Sequence, residues 1–167
     1  MSTAREPTPP PDPALRAPAL ARFGVVASEF HGSIVDRLLG GALGALHQHG
    51  VDKDRIVTVR VPGAFEIPWA CDQLARSGSF AAIIALGVVV RGETPHFDFV
   101  ARGAADGCGR VMAETRVPVL FGVLTTDNEE QALARAGGPH GNKGWDAATA
   151  AIKMTRLAHA FARGEIA

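Results

Sequence analysis

The sequence predicts a single α/β domain built on a four-stranded parallel sheet, with helices on both faces of the sheet. Short apolar runs alternate along the chain with longer segments of helical periodicity, in the order βαβαβαβαα. Right-handed crossovers place the helices of such an order on both faces. One run, residues 81–90, is almost continuously apolar, which is typical of a central strand that is covered on both sides.

The first half of the chain predicts two strands and two helices. Residues 23–27 form an apolar run that predicts the first strand, and the β-branched residues 55–61 predict the second. Apolar side chains recur every four residues between these strands, which predicts a helix that ends at Gly50. A second helix is expected over residues 64–77, provided that Pro68 lies in its first turn.

The second half of the chain predicts the third and fourth strands and three more helices. After the third strand, a helix is expected over residues 97–115 and the fourth strand over residues 118–124. Thr126 and Glu129 have the spacing of a capping box, which predicts the start of a short helix that ends at a double glycine. A last long helix is expected over residues 142–162.

Composition excludes several classes of function. The chain has 167 residues, the size of one ordinary domain, and its 17 basic residues balance its 17 acidic ones. No cationic field is therefore available to attract nucleic acid or an anionic membrane. Two cysteines, Cys71 and Cys108, lie in predicted helices without a CxxC pair or a nearby histidine, which supports neither a disulfide framework nor a zinc site. A reducing compartment, the cytoplasm, fits this pattern best.

The N-terminal segment differs in composition from the rest. Residues 1–22 carry six of the eleven prolines and no glycine, and they lack the apolar core of a secretory signal. We therefore expect a flexible Pro-rich tail over residues 1–22 and one domain over residues 23–167. No segment reaches the roughly 20 uninterrupted apolar residues of a membrane-spanning helix, so a soluble protein is expected.

Ligands of parallel α/β sheets bind beyond the carboxyl ends of the strands, where the loops gather. This rule selects four stretches of the chain: residues 28–32, 62–66, 88–96 and 121–128. A histidine in such a loop, His96, is either a proton-transfer group or a solvated loop residue. Glu66 is either favoured by a helix dipole or a ligand contact, and Phe30 either stacks on a planar ligand or fills an apolar gap.

Two cations flank a glycine-rich stretch near the C-terminus. Arg135 and Lys143 suit a phosphate or a carboxylate, although surface charges explain them equally well. Dinucleotide, Walker, zinc-protease and α/β-hydrolase motifs are absent from the sequence. The residues alone therefore predict a three-layer α/β domain that binds a small planar or phosphorylated ligand.

Five strings, in chain order, resemble the lumazine synthases of riboflavin biosynthesis. They are PGAFEIP (62–68), GVVVRGETPHFD (87–98), FGVLTTD (121–127), EQALARAG (130–137) and GNKG (141–144). The resemblance covers about residues 23–155 and implies a flavodoxin-like α/β/α sandwich. It also implies the condensation of 5-amino-6-(D-ribitylamino)uracil with 3,4-dihydroxy-2-butanone 4-phosphate, which gives 6,7-dimethyl-8-ribityllumazine, phosphate and water. No metal or organic cofactor is implied.

The resemblance also implies roles for individual residues. His96 matches the proton-transfer histidine of the family, and Arg135 matches the arginine that holds the substrate phosphate, together with Glu93 and Thr94. Phe30 matches the aromatic residue that stacks on the pyrimidine. The segment that binds the pyrimidine and the ribityl chain corresponds to Ala64, Phe65 and Glu66, and the ring pocket to Val88, Val89 and Val90. Residues that enter the site from the neighbouring subunit correspond to Phe121, Arg135 and Lys143.

The expected partners are the two small-molecule substrates and further copies of the chain. By resemblance the minimum working unit is a pentamer, and the short connection over residues 137–144 is similar to that of members that assemble twelve pentamers into a hollow icosahedral 60-mer. Two alternatives are a non-catalytic paralogue that binds flavin or lumazine and a structural shell protein. A flavodoxin-like redox carrier is disfavoured, because Glu29 stands where its phosphate loop would bind an anion.

Overall fold

A computed structural model of the chain describes residues 12–166 and confirms the α/β/α sandwich. The strands are β1 (Phe23–Ser28), β2 (Ile56–Val61), β3 (Ala82–Val90), β4 (Val119–Thr126), β5 (Ala136–Gly138) and β6 (Gly141–Asn142). The helices are α1 (Gly32–Gln48), α2 (Ile67–Arg76), α3 (His96–Thr115), α4 (Glu129–Ala134) and α5 (Lys143–Ala162). Four parallel strands form the main sheet in the order β2-β1-β3-β4, and β5 pairs with β6 in a small antiparallel hairpin.

The core consists of two apolar layers, one on each face of the sheet. Successive side chains of β1 alternate between them, because neighbouring residues of a strand point to opposite faces. Val25 and Ala27 pack with α1 and α5, whereas Val26 packs with α2 and α3. The central strand β3 is buried along almost its whole length, as its apolar run predicts.

A glycine sets the distance between α1 and α5. A Cβ added at Gly144 would collide with the carbonyl oxygen of Leu38, so the two helix backbones are in direct contact there. Beside it, the Asn142 side chain accepts hydrogen bonds from the amides of Gly144 and Trp145 at 2.9 and 3.2 Å, and its amide donates to the carbonyl of Arg37 at 2.9 Å. Asn142 thus caps α5 and ties it to α1.

The prediction for the start of α4 was wrong by two residues. Asn128, rather than Thr126, is the N-cap: its side chain accepts from the amide of Gln131 at 2.9 Å. The Thr126 hydroxyl donates instead to the carbonyl of Asn128 at 2.9 Å. The double glycine does not end the helix either, because α4 stops at Ala134 and the glycines form the β5–β6 hairpin.

Part of the segment before β1 packs on the domain. Leu15 and Ala21 are buried in the core layer on the α1 side, and the amide of Ala17 donates to the carbonyl of His49 at 2.9 Å. Residues 1–11 of the predicted tail lie outside the described residues. The division of the chain at residue 23 therefore stays a prediction.

Pro68 lies in the first turn of α2, as the sequence requires, and a short 3₁₀ turn over residues 64–66 precedes the helix. Within residues 12–166, no helix has both the length and the apolar character needed to cross a lipid bilayer.

Candidate active site

A cavity of about 620 Å³ lies at the carboxyl end of the main sheet. It collects residues from three of the four loop regions that the sequence selects, namely those after β1, β2 and β3. Nine of the predicted site residues line it: Phe30, Ala64, Phe65, Glu66, Val88, Val89, Val90, Thr94 and His96. The sequence places these residues up to 66 positions apart, and the parallel sheet brings them together.

The wall formed by β3 is apolar. Val88 and Val89 are buried, and Val90 is half-buried at the end of the strand. Side chains pack closely against the strand just before them, since a Cβ added at Gly87 would lie 2.9 Å from the Ile67 side chain and 3.0 Å from the Ser28 hydroxyl. This wall offers an apolar surface to the face of a ring.

Exposed aromatic rings surround the opening of the cavity. Phe30, Phe65 and Phe99 are 68%, 59% and 73% exposed, which is unusual for side chains of this size. Trp69, one turn into α2, is 68% exposed as well. Exposed apolar groups this close together mark a surface that a ligand or another protein covers.

Glu66 takes part in the fold and in the cavity at once. Its carboxylate accepts a hydrogen bond from the amide of Gly63 at 2.9 Å and so caps the turn before α2. The same side chain is exposed and lines the cavity. Both interpretations of this residue, a charge at a helix start and a ligand contact, are therefore compatible with its position.

His96 is the first residue of α3 and lies exposed at the rim of the cavity. Its backbone amide donates to the hydroxyl of Thr94 at 3.4 Å, which orders the turn at the helix start. Amides at the start of a helix carry partial positive charge and favour anions. The His96 imidazole thus lies beside the start of α3, where the backbone amides favour an anion.

Arg91 holds the loop that carries His96. Its guanidinium lies 3.5 Å from Asp98 and 3.2 Å from Asp127, and it stacks 4.2 Å from the ring centre of Phe97. The end of β3, the first turn of α3 and the loop after β4 are therefore connected through one side chain.

Sequence reasoning missed several residues of the cavity wall. His31 lines the cavity in the left-handed conformation, with φ at 55°, and its Nδ1 lies 3.4 Å from Glu129. Phe99 and Val100 stand one turn after His96 on α3, so helical spacing could have identified them. The remaining missed residues of the wall are Gly63, Gly92 and Phe97.

Four predicted site residues do not line the cavity as the described chain forms it: Glu93, Phe121, Arg135 and Lys143. Arg135 and Lys143 nevertheless lie together, because the amide of Lys143 donates to the carbonyl of Arg135 at 2.8 Å. The guanidinium of Arg135 is held by the carbonyl of Gln131 at 2.9 Å. Phe121 lies in β4 beside Ala85 of β3 and is half-buried.

Metal-ligating side chains do not cluster in the described part of the chain. No three histidine, cysteine, aspartate or glutamate side chains of the described chain come together in a group that could hold an ion.

Comparison with known proteins yields one family. The family model described as 6,7-dimethyl-8-ribityllumazine synthase matches residues 20–159. The chain is 51% identical over 140 residues to the protein of that name from Desulfatibacillum aliphaticivorans, an alignment that covers 84% of this chain and 90% of the relative. It is 53% identical to the one from Salinibacter ruber, with 81% and 87% covered. The one from Aquifex aeolicus is 50% identical, with 81% and 88% covered.

Proposed function

The chain belongs to the 6,7-dimethyl-8-ribityllumazine synthase family, and we propose that the cavity at the carboxyl end of its sheet is the site of that family's reaction. The enzyme is a transferase of riboflavin biosynthesis. It condenses 5-amino-6-(D-ribitylamino)uracil with 3,4-dihydroxy-2-butanone 4-phosphate to 6,7-dimethyl-8-ribityllumazine, phosphate and water. The observation that carries the proposal is the meeting of an apolar wall, a rim of aromatic rings, a carboxylate and an imidazole in one cavity of about 620 Å³.

The pyrimidine lies against the apolar wall in this proposal. Val88, Val89 and Val90 contact one face of the ring, and the exposed ring of Phe30 stacks on the other. The turn formed by Ala64, Phe65 and Glu66 holds the ribityl chain, with hydroxyls of that chain donating to the Glu66 carboxylate. Because an ionised carboxylate accepts strong hydrogen bonds, Glu66 can serve the ligand in addition to the Gly63 amide.

Protons move at His96. An amine attacks a ketone, water and phosphate leave, and a second imine closes the ring, so several protons must be taken up and released. A rim imidazole can carry them, because each of its ring nitrogens can either donate or accept a proton. The phosphate binds beside it, on the amides of Glu93 and Thr94, the Thr94 hydroxyl and the Arg135 guanidinium.

The working site is shared between two copies of the chain. Phe121, Arg135 and Lys143 lie outside the cavity of the described chain, and we assign them to the cavity of a neighbouring copy. The exposed rings of Phe65 and Trp69 supply an apolar surface that such a neighbour would cover. The assembly is a pentamer, and the short β5–β6 hairpin favours a shell of twelve pentamers. We place the enzyme in the cytoplasm, with residues 1–22 as its tail.

A fluorescence assay tests the proposal directly. The purified protein is mixed with both substrates, and formation of the fluorescent lumazine is compared with the slow uncatalysed condensation. Arg135→Ala is expected to reduce use of the phosphorylated ketone about 10- to 100-fold, since it removes a charge-assisted hydrogen bond, and to leave binding of a pyrimidine analogue almost intact.

Arg156→Ala is the matched control, because this exposed arginine of α5 does not line the cavity. It is expected to leave the rate unchanged. Equal losses of turnover and of pyrimidine binding in Arg135→Ala would contradict the phosphate role. A folded oligomer without any acceleration would favour a binding or shell protein instead.

A further inference from the structure

The only two cysteines of the sequence meet inside the molecule. Cys71 lies in α2 and Cys108 in α3, and they are 0% and 2% exposed. Both belong to the core layer on the same face of the sheet, both are free thiols, and their side chains interact directly, which shifts the pKa of each thiol. The reaction described above makes no use of them.

The two helices approach closely where the thiols meet. Gly107, next to Cys108, faces Pro68 of α2, and a Cβ added to it would lie 2.6 Å from the Pro68 ring. A Cβ added to Gly103, one turn earlier in α3, would likewise collide with the Phe65 ring. A disulfide needs Cβ atoms about 3.5–4.5 Å apart, and the contact of Gly107 with Pro68 brings the turns that carry the two cysteines next to each other.

We propose that Cys71 and Cys108 form a reversible internal disulfide that cross-links α2 to α3 when the protein meets a small-molecule disulfide. In the first step the Cys108 thiolate attacks one sulfur of the reagent, which gives a mixed disulfide and releases one reagent thiolate. In the second step the Cys71 thiolate attacks the Cys108 sulfur and releases the other. Both cysteine protons go to the departing thiolates, so the two protein thiols are oxidised and the reagent is reduced to two thiols.

Electrostatics supports this order of attack. The hydrogen bond from Cys71 lowers the pKa of the Cys108 thiol from its usual value. The same hydrogen bond raises the pKa of Cys71, and burial raises it further. The thiolate is the nucleophile in disulfide exchange, which favours Cys108 as the first of the two thiols to react.

The cross-link would join two walls of the cavity. The turn with Phe65 and Glu66 leads directly into α2, and His96 is the first residue of α3. The bond would also close a loop that contains the whole of β3. Closing a loop removes conformational freedom from the unfolded chain, so the oxidised protein should unfold at a higher temperature.

The test exposes the purified protein to hydroxyethyl disulfide, at a urea concentration just below the unfolding transition so that local opening admits the reagent to the buried thiols. The expected product has lost two hydrogens by intact mass and has no free thiol when denatured. Peptide mapping joins Cys71 to Cys108 within one chain. After removal of urea, the thermal unfolding midpoint of the oxidised protein is about 5–10 °C higher than that of the reduced protein, and dithiothreitol reverses this increase.

Cys71→Ala and Cys108→Ala are the matched controls, each with a single remaining thiol. Neither is expected to lose two hydrogens or to gain thermal stability on treatment. Two free thiols, two separate reagent adducts or links between different chains in the wild-type protein would each overturn the proposal. The result is independent of turnover, because none of these measurements involves a substrate.

Discussion

Single residues at this site serve the fold and the ligand together. Glu66 caps a turn through the Gly63 amide and also faces the cavity. His31 adopts a left-handed backbone that costs free energy for a residue with a Cβ, and this conformation turns its ring towards Glu129 and against the ring of Phe30, with 4.7 Å between ring centres. Strain of this kind persists where the surroundings hold it, and it clusters at functional sites.

The residue-level prediction concerns His96. Replacement by Ala should slow formation of lumazine by about 10- to 100-fold, because a positioned proton carrier contributes about 10² to 10⁴ and substrate groups partly replace it. The fold should survive, since the side chain is exposed at the rim. Steady-state fluorescence measures the rate, and urea unfolding measures the stability. A wild-type rate in a variant of wild-type stability would remove His96 from the mechanism.

Residues of the site differ in how far the sequence could predict them. Those in the loops after β1, β2 and β3 follow from the rule that parallel strands gather their loops at one edge, and Phe30, Glu66 and His96 do lie there. His31 was missed because its orientation depends on a left-handed backbone that no local pattern signals. The contact of Cys71 with Cys108 was missed because it depends on the packing of two helices, and not on sequence spacing.

Secondary structure elements were predicted well where the hydrophobic periodicity is strong. They were predicted poorly where a single side chain determines the boundary of the element. The long helices and the four main strands begin and end within a few residues of the predicted positions. The predicted start of α4 was wrong because Thr126 and Asn128 both suit a cap, but Thr126 ends β4, whereas Asn128, with φ at −152°, directly precedes the helix. The β5–β6 hairpin was missed because double glycine is equally typical of a helix end.

The element-level prediction concerns the contact of α1 with α5. Gly144→Ala should destabilise the fold by about 2–3 kcal/mol, because the new methyl group would collide with the Leu38 carbonyl and force the helices apart. Gly40→Ala in α1 is the matched control. Its Cβ meets nothing within 4 Å, so it should stabilise the fold by about 0.5–1 kcal/mol through helix propensity. Urea unfolding of both variants checks the pair, and equal effects would contradict the contact.

At the scale of the whole molecule, the sandwich was predictable and the strand order was not. Alternating strands and helices force a parallel sheet with two covered faces, but β2-β1-β3-β4 depends on which strands pair over long distances. The cavity is likewise a property of the whole chain, because its walls come from three loops. Arg135 and Lys143 do not line this cavity, and the proposal of a shared site assigns them to the cavity of a neighbouring copy.

The molecule-level prediction is that two variants with strongly reduced activity restore each other. His96→Ala and Arg135→Ala subunits are unfolded together in equal amounts and reassembled. We propose that each site takes His96 from one copy and Arg135 from its neighbour. In the mixture, a site is complete when an Arg135→Ala copy supplies His96 and a His96→Ala copy supplies Arg135. Random mixing round a closed ring then makes about a quarter of the sites complete. The mixture should regain about that share of wild-type activity.

The control for this test is a mixture of Arg135→Ala and Lys143→Ala subunits. Both residues stand on the same side of one chain, joined by the Lys143 amide and the Arg135 carbonyl. The neighbouring copy in that mixture always lacks either Arg135 or Lys143, so no site is complete. No activity above that of the separate variants is expected. Restoration in both mixtures would mean that Arg135 and Lys143 are supplied to a site by different chains, which contradicts their joint assignment. Restoration in neither would place Arg135 in the cavity of its own chain and remove the argument for a shared site.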